Sequence, residues 1–326
     1  AVSSKAEDVS LSSARFIQAI TSIAASHAPS LLCQTLHLLA TSRASTIRLL
    51  GAQITFDALL CLSGEHMQKL MSSAAASLQD SDWEVQATAY RSLGQVAQQN
   101  ANESTARLDY FLTLMDARVT ALPDFVEEVR AQASWAFANL CEYASAADLR
   151  DWNAWITCAT RCSMLTDRTS TNAIRASGAL LKSAAEDQVA RSASTDAFRA
   201  IITQLLGHTP KAQWNAASAI ERIFANPHAS VLLEASEVRD ECVAALESNL
   251  LSSNFKVQAS SAKALLRICR ATSLQHEKVS ALKSNIARAL ERLEGTVKQE
   301  AEGPAHGSQK ALEALSTQLS VMTINS

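Results

Sequence analysis

Residues 129–137 of this chain read VRAQASWAF, and a phrase of the same form recurs along the sequence. The other copies are VQATAYRSL at 85–93, AQWNAASAI at 212–220, VQASSAKAL at 257–265 and a weaker one, TSTNAIRASGAL, at 169–180. The starts at 85, 129, 169, 212 and 257 lie 44, 40, 43 and 45 residues apart. This period is typical of solenoids built from two-helix repeats. The sequence therefore predicts a helical repeat protein.

Two positions of the phrase hold small residues in every copy. We number positions by their distance from the start, so that the fourth position lies four residues after it. The fourth position holds Ala89, Ala133, Ala173, Ala216 or Ser261, and the seventh holds Ser92, Ala136, Ala176, Ala219 or Ala264. Small side chains on one stripe let neighbouring helices approach closely, and larger residues four positions further on fill the layer between repeats. The larger residues are Leu93, Val96, Phe137, Leu140, Ile220, Ile223, Leu265 and Ile268. Ordinary amphipathicity does not explain small residues in register five times.

The composition favours an all-α chain. Its 326 residues include only 8 Gly and 5 Pro, whereas average usage is roughly 12% for the two together. Periodicity and cap residues predict helices over 9–26, 30–41, 45–62, 66–79, 82–99, 105–120, 124–143, 148–163, 169–184, 192–207, 211–225, 236–252, 255–271, 276–294 and 308–322.

The domain organisation follows from the repeats, because a solenoid can grow along one axis without splitting into domains. We expect one helical solenoid over 1–294, a polar linker over 295–307, and a capping helix with a tail over 308–326. In the last segment Leu312, Leu315, Leu319 and Met322 share one helical face. The chain begins without Met, which suggests a part excised from a longer protein.

Charge and cysteine usage limit the partners and the compartment. The formal net charge is −3, which argues against nucleic acid or an anionic membrane as a partner unless a local basic stripe exists. No apolar run is long enough to span a bilayer. Seven scattered cysteines without a Cys-x-x-Cys pair predict reduced thiols in an intracellular protein, in the cytoplasm or alternatively the nucleus.

Metal binding and catalysis find little support in the sequence. Cys158 with Cys162, and Cys33 with His37, are each spaced one helical turn apart, but a structural zinc site usually takes four ligands and neither pair has a second pair. The chain lacks a Gly-rich phosphate loop, a His-Glu-x-x-His motif and a Gly-x-Ser-x-Gly motif. We therefore predict a protein that is not an enzyme and needs no metal or other cofactor.

The repeat phrases at 129–140, 211–216 and 254–258 resemble HEAT repeats, and the resemblance covers roughly residues 80 to 270. It implies an α-α superhelix, a HEAT/armadillo-like solenoid of about six to seven two-helix repeats, with a scaffolding role and no catalytic residues. HEAT repeats usually carry Arg after the Val. Here Gln86, Gln213 and Gln258 stand at that position and only Arg130 keeps it, so a continuous ladder of Asp–Arg pairs is not expected.

The predicted functional surface is the concave side, which second helices line in solenoids of this kind. The sixth position after each start holds Arg91, Trp135, Arg175, Ser218 and Lys263, and the tenth holds Gln95, Asn139, Ala179, Arg222 and Arg267. A row of Arg, Trp and Lys is typical of protein-binding grooves. The predicted partner-binding residues are Arg91, Trp135, Asn139, Arg175, Trp214, Arg222, Lys263 and Arg267.

Two functions remain open at this point. The first is a non-catalytic scaffold that binds protein partners, with no membrane and no small-molecule substrate. The second is a nucleic-acid-binding protein using a local basic groove, whose most specialised form would process a base with Trp135 and either Glu128 or Asp124. An alternative to both for the surface row is a solvated face in which Trp135 covers the core between repeats.

Overall fold

A computed structural model describes residues 19–100, 105–207 and 209–271, with a few single residues beyond. The chain divides into two compact units, Ala1–Ala144 and Ser145–Ser326. In the first unit, residues 19–27 are helical and six helices follow. They are α1 (Pro29–Ala40), α2 (Ser45–Cys61), α3 (Gly64–Ser77), α4 (Trp83–Asn100), α5 (Thr105–Asp116) and α6 (Glu127–Tyr143), with a 3-10 turn at Leu122–Asp124 before α6.

The second unit contains seven α-helices in its described part. They are α7 (Trp152–Ser163), α8 (Arg168–Ser183), the one-turn α9 (Glu186–Val189), α10 (Ser192–Leu205), α11 (Pro210–Ile223), α12 (Ser236–Leu250) and α13 (Phe255–Ala271). The 3-10 segment Ala146–Asp148 precedes α7, and the 3-10 segment Pro227–Leu233 lies between α11 and α12. The described residues contain no strand. The prediction of an all-α chain is confirmed.

The predicted helices between 30 and 271 are all present, and most of their ends lie within a few residues of the prediction. The helix predicted over 105–120 ends at Asp116, and the short segments Glu186–Val189 and Pro227–Leu233 were not predicted. The beginning of the first predicted helix, nearly all of the helices over 276–294 and 308–322, and the linker over 295–307 lie outside the described residues.

In the described part of each unit, six consecutive long helices form three pairs. In the first unit the second helices α2, α4 and α6 pack side by side, and the first helices α1, α3 and α5 form the other layer. In the second unit α8, α11 and α13 form the layer of second helices, while α7, α10 and α12 form the layer of first helices. This is the arrangement that the 40- to 45-residue period predicts.

The small residues of the repeat phrase lie where second helices meet. Ala89, Ala133, Ala173, Ala216 and Ser261 at the fourth position are all fully buried, and the residues at the seventh position are buried as well. One close approach involves Gly178 of α8, because a Cβ added there would lie 2.8 Å from Ala219 Cβ and 2.9 Å from Ala219 Cα. The predicted role of the small residues in close packing is confirmed.

Polar side chains cap several helix N-termini. Asp82 Oδ1 accepts a 2.9 Å hydrogen bond from the Glu84 N–H, and Thr209 Oγ1 accepts one of 3.2 Å from the Ala212 N–H. Side-chain oxygens at these positions satisfy donors that have no partner within the helix. Asp80 also pairs with Arg48 of α2 through bonds of 2.7 and 2.9 Å.

The glutamines that replace arginine make a different bond. Gln86 Nε2 donates to the Leu78 carbonyl at 3.0 Å, Gln213 Nε2 to the Gly207 carbonyl at 2.9 Å, and Gln258 Nε2 to the Leu250 carbonyl at 3.2 Å. Each acceptor lies at or just beyond the end of the first helix in the same repeat. Since carbonyls at helix ends lack intrahelical donors, these glutamines join the two helices of a repeat.

Replacing Ala216 or Ala264 by Asp should disrupt the packing of the second helices. Both alanines have no exposed surface, so either carboxylate would be buried without a partner, at a cost of several kcal/mol. Thermal unfolding followed by circular dichroism should show a large loss of stability. Ala244→Asp on the exposed side of α12 is the control. If both buried variants melt close to the parent, the repeat register is wrong.

Candidate interaction surface

The second helices of the second unit carry an unusual concentration of basic residues. All their Lys and Arg side chains lie at four positions of the repeat: one before the start, and six, ten and thirteen after it. The nine residues, which we call the basic stripe, are Arg168, Arg175, Lys182, Lys211, Arg222, Lys256, Lys263, Arg267 and Arg270. At about 100° per residue, these positions fall within roughly 60° of one another around the helix axis.

Acidic residues are nearly absent from the same helices. Glu221 of α11 is the sole carboxylate among α8, α11 and α13, and it lies at the ninth position, beside the basic stripe. Every member of the stripe is exposed except Arg175, which is half-buried. Lys211, Lys263 and Arg267 form no ion pair with the residues that the structure describes. These three side chains therefore present positive charge that no described carboxylate neutralises.

One first helix of this unit, α12, has the opposite character. Helix α12 carries four carboxylates, Glu237, Asp240, Glu241 and Glu247, against one Arg239. Positive charge in the unit thus predominates on the second helices, and negative charge predominates on α12. The net charge of −3 for the whole chain does not indicate this separation of charge between helices.

Trp214 lies within the basic stripe and is held in place by one of its members. The ring is half-buried on α11, and Lys256 Nζ of α13 lies 4.3 Å from the ring centroid, in the geometry of a cation–π contact. Beside it, the Ser218 and Ser260 hydroxyls are 3.2 Å apart and form a hydrogen bond between the same two helices. The surface between α11 and α13 is therefore polar and supported by contacts between the two helices.

The corresponding surface of the first unit is not basic. Glu84, Glu128 and Glu142 occupy stripe positions on α4 and α6, and Arg91 is the one basic residue there. The Arg91 Nε–H donates to Gln132 Oε1 at 3.4 Å. The predicted row of Arg, Trp and Lys therefore differs in charge between the units, and its basic members lie mainly in the second.

Trp135 packs against the neighbouring repeat. A Cβ added at Gly94 of α4 would lie 2.5 Å from Trp135 Cε3 and 2.6 Å from Cζ3, so the ring rests directly on the glycine backbone. The side chain is half-buried. This contact favours the interpretation in which Trp135 covers the core between α4 and α6.

The prediction that Asn139 contacts a partner is wrong. Asn139 is only 3% exposed, and its Nδ2 donates to the Gly94 carbonyl at 3.1 Å. Two other buried amides act similarly between repeats, although the sequence did not single them out. Asn226 Nδ2 donates to the Leu181 and Ala184 carbonyls at 2.8 and 2.9 Å, and Asn249 Nδ2 to the Leu205 carbonyl at 3.2 Å.

Five members of the basic stripe escaped the sequence prediction: Arg168, Lys182, Lys211, Lys256 and Arg270. They lie one position before the repeat start or thirteen after it, whereas the prediction considered only the sixth and tenth positions for charge. The sequence could have indicated them, because they lie seven residues before or after the sixth position. Residues seven apart share a helical face.

The cysteines considered as metal ligands have other surroundings. Cys33 Sγ lies 3.5 Å from the His66 carbonyl, and His37 Nδ1 lies 3.3 Å from Ser73 Oγ. Cys158 and Cys162 are buried. Among the residues that the structure describes, no three His, Cys, Asp or Glu side chains are grouped to hold a metal ion.

Asp80 and Asp82 serve structure. Burial alone would raise the pKa of Asp80, but hydrogen bonds from Arg48 and from the Asp82 N–H outweigh it, so the pKa is lowered. The carboxylate is therefore fixed in its charged form by an ion pair. Its pairing stabilises the fold above the ordinary carboxyl pKa and is lost as the pH falls through the lowered value.

Comparison with known proteins identifies the fold. A designed armadillo repeat protein is 19% identical, with a TM-score of 0.56, over 76% of this chain and 99% of its own. Another, solved in complex with the peptide (KR)4, is 19% identical, with a TM-score of 0.54, over 75% and 99%. An archaeal HEAT-like repeats protein from Thermococcus onnurineus NA1 is 11% identical, with a TM-score of 0.52, over 88% and 98%.

These likenesses define a HEAT/armadillo-like helical repeat fold. No family model matches the chain. In the part of the chain that the structure describes, every helix is too short or too polar to cross a bilayer.

Replacing Trp135 by Ala should lower the stability of the protein by about 2 kcal/mol, because the ring fills space between two helices. Chemical denaturation measures the change. Trp83→Ala is the matched control, since Trp83 is 50% exposed at the start of α4 and should matter little. Equal effects of the two substitutions would contradict the packing role of Trp135.

Alkylation of the native protein should separate the cysteines by burial. Burial raises the pKa of Cys269 to about 12 and also raises that of Cys242, so both thiols should react slowly with iodoacetamide. Cys61 is exposed and should be modified first. Peptide mass spectrometry over time gives the order, and early modification of Cys242 or Cys269 would show that the core is open.

Proposed function

We propose that this chain is a non-catalytic scaffold that binds protein partners through the outward surface of its second helices. The observation that carries the proposal is the basic stripe, in which nine Lys and Arg side chains share one face while the neighbouring first helix α12 is acidic. A solvated surface serves solubility equally well with mixed charges, whereas nine charges of one sign on one face favour a charged partner.

The fold supports the same function. HEAT/armadillo-like repeats present rows of side chains on adjacent parallel helices, which suits the recognition of a long partner segment. A designed armadillo repeat protein has been solved in complex with the peptide (KR)4. The repeat phrases over residues 80–270 also resemble the C-terminal half of HEAT repeat-containing protein 6, and we propose that kinship without deriving an activity from it.

Burial and packing shorten the predicted set of binding residues. Those that we propose are Arg175, Trp214, Arg222, Lys263 and Arg267 in the second unit, with Arg91 as a lesser candidate in the first. Asn139 is removed because it is buried and hydrogen-bonded. Trp135 is retained only as a packing residue. An intracellular location stays a prediction that rests on the free cysteines.

Nucleic-acid binding is the second candidate, and the basic stripe is the observation that favours it. Two features weigh against it. Glu84 and Glu128 occupy the first stripe position on α4 and α6, so the basic character does not extend to every second helix. Trp214, the aromatic residue within the stripe, has Lys256 against its ring instead of an open stacking surface.

Site-specific photo-crosslinking distinguishes the candidates. A crosslinking amino acid placed at Arg222 or at Lys263 should yield defined protein adducts in cell extract, and these should persist after nuclease treatment. The matched control is the same amino acid at Arg199, which is exposed on the first helix α10 and should yield none of them. Adducts that disappear with nuclease would establish the nucleic-acid candidate, and identical adducts from all three positions would contradict a binding role for the second helices.

A further inference from the structure

We infer that the basic stripe binds an extended acidic segment of a partner protein, with carboxylates spaced about three residues apart. The inference rests on the proposed function and specifies the chemistry of the partner. Its structural basis is the placement of exposed cations on three helices, α8, α11 and α13, that pack side by side.

The positive charge of the basic stripe favours a ligand of negative charge. The stripe contains nine cations and no carboxylate, and Glu221 beside it is the single acidic residue of the three helices. Lys211, Lys263 and Arg267 make no ion pair with described residues. Carboxylates placed against these groups would form charge-assisted hydrogen bonds without displacing existing partners.

Helix packing determines the spacing. Stripe residues recur at equivalent positions on successive helices, as in the row of Arg168, Lys211 and Lys256, and the axes of packed helices lie about 8–10 Å apart. A polyproline II segment advances about 9 Å in its three-residue turn, so every third side chain points the same way. A carboxylate at every third position would therefore meet one cation on each helix.

The polar groups between the cations suit a peptide backbone. The hydrogen-bonded Ser218 and Ser260 hydroxyls bridge α11 and α13 among these cations, and the Trp214 side chain on α11 is half-buried. A polyproline II backbone has no internal hydrogen bonds, so its carbonyls need donors from the surface or from water.

Fluorescence anisotropy on the purified chain tests the inference with labelled peptides of defined pattern. A Glu-Pro-Ala repeat peptide should bind more tightly than a peptide of the same composition whose Glu residues form one block. Both should bind more tightly than oligo-dT of equal net charge. Equal affinity of the two peptides would overturn the spacing, and tighter binding of oligo-dT would overturn the acidic-peptide assignment.

Charge reversal locates the site. Lys263→Glu with Arg267→Glu should weaken binding of the Glu-Pro-Ala peptide by roughly tenfold or more, because two cations become repulsive. Both residues are exposed, and an unchanged circular dichroism melt confirms that the variant is folded. Arg199→Glu with Arg239→Glu on the first helices is the matched control and should leave affinity within about twofold.

Loss of affinity in the control variant equal to that in the stripe variant, or none in the stripe variant, would overturn the assignment to this surface. The inference and the proposed function fail separately. If no acidic peptide binds while residue 263 still crosslinks to protein, the acidic chemistry is wrong and the scaffold function stands. If both measurements are negative, both are wrong.

Discussion

The close approach of neighbouring second helices is the constraint on which the rest of the structure depends. At Gly178 the backbone of α8 lies so near Ala219 that even one added carbon would collide with it. Only Gly, Ala and Ser fit at such a contact, which explains the small residues at the fourth and seventh positions. Because these small residues face the core, long polar side chains are confined to the opposite face of each second helix. A partner would meet them there.

Close packing of this kind leaves carbonyl groups buried near helix ends and between repeats, and the chain uses amide side chains to satisfy them. Gln86, Gln213 and Gln258 bond within a repeat, while Asn139 and Asn226 bond from one repeat to another. An amide donates without carrying charge, so it avoids the desolvation cost of burying an arginine. These neutral amide links between helices stand beside the Arg48–Asp80 ion pair, which joins α2 to the residues before α4.

Charge is distributed by helix and by unit. The repeat position before each start is Glu84 and Glu128 in the first unit but Arg168, Lys211 and Lys256 in the second. Since these positions are exposed and contribute little to packing, folding does not require either sign. A consistent sign over three successive repeats is therefore the observation from which we propose a charged partner for the second unit.

The sequence alone determined where the helices lie, which small residues are buried, and which positions of each second helix face outward. These features depend on local periodicity and on cap residues such as Asp82 and Thr209. The roles of individual outward residues were decided only by tertiary structure. Asn139 and Arg222 share the tenth position, yet Asn139 is buried and Arg222 exposed. The difference lies in the neighbouring helix: the Gly94 backbone on α4 receives both the Trp135 ring and the Asn139 amide, and this contact depends on the distance between two helices, which periodicity does not specify.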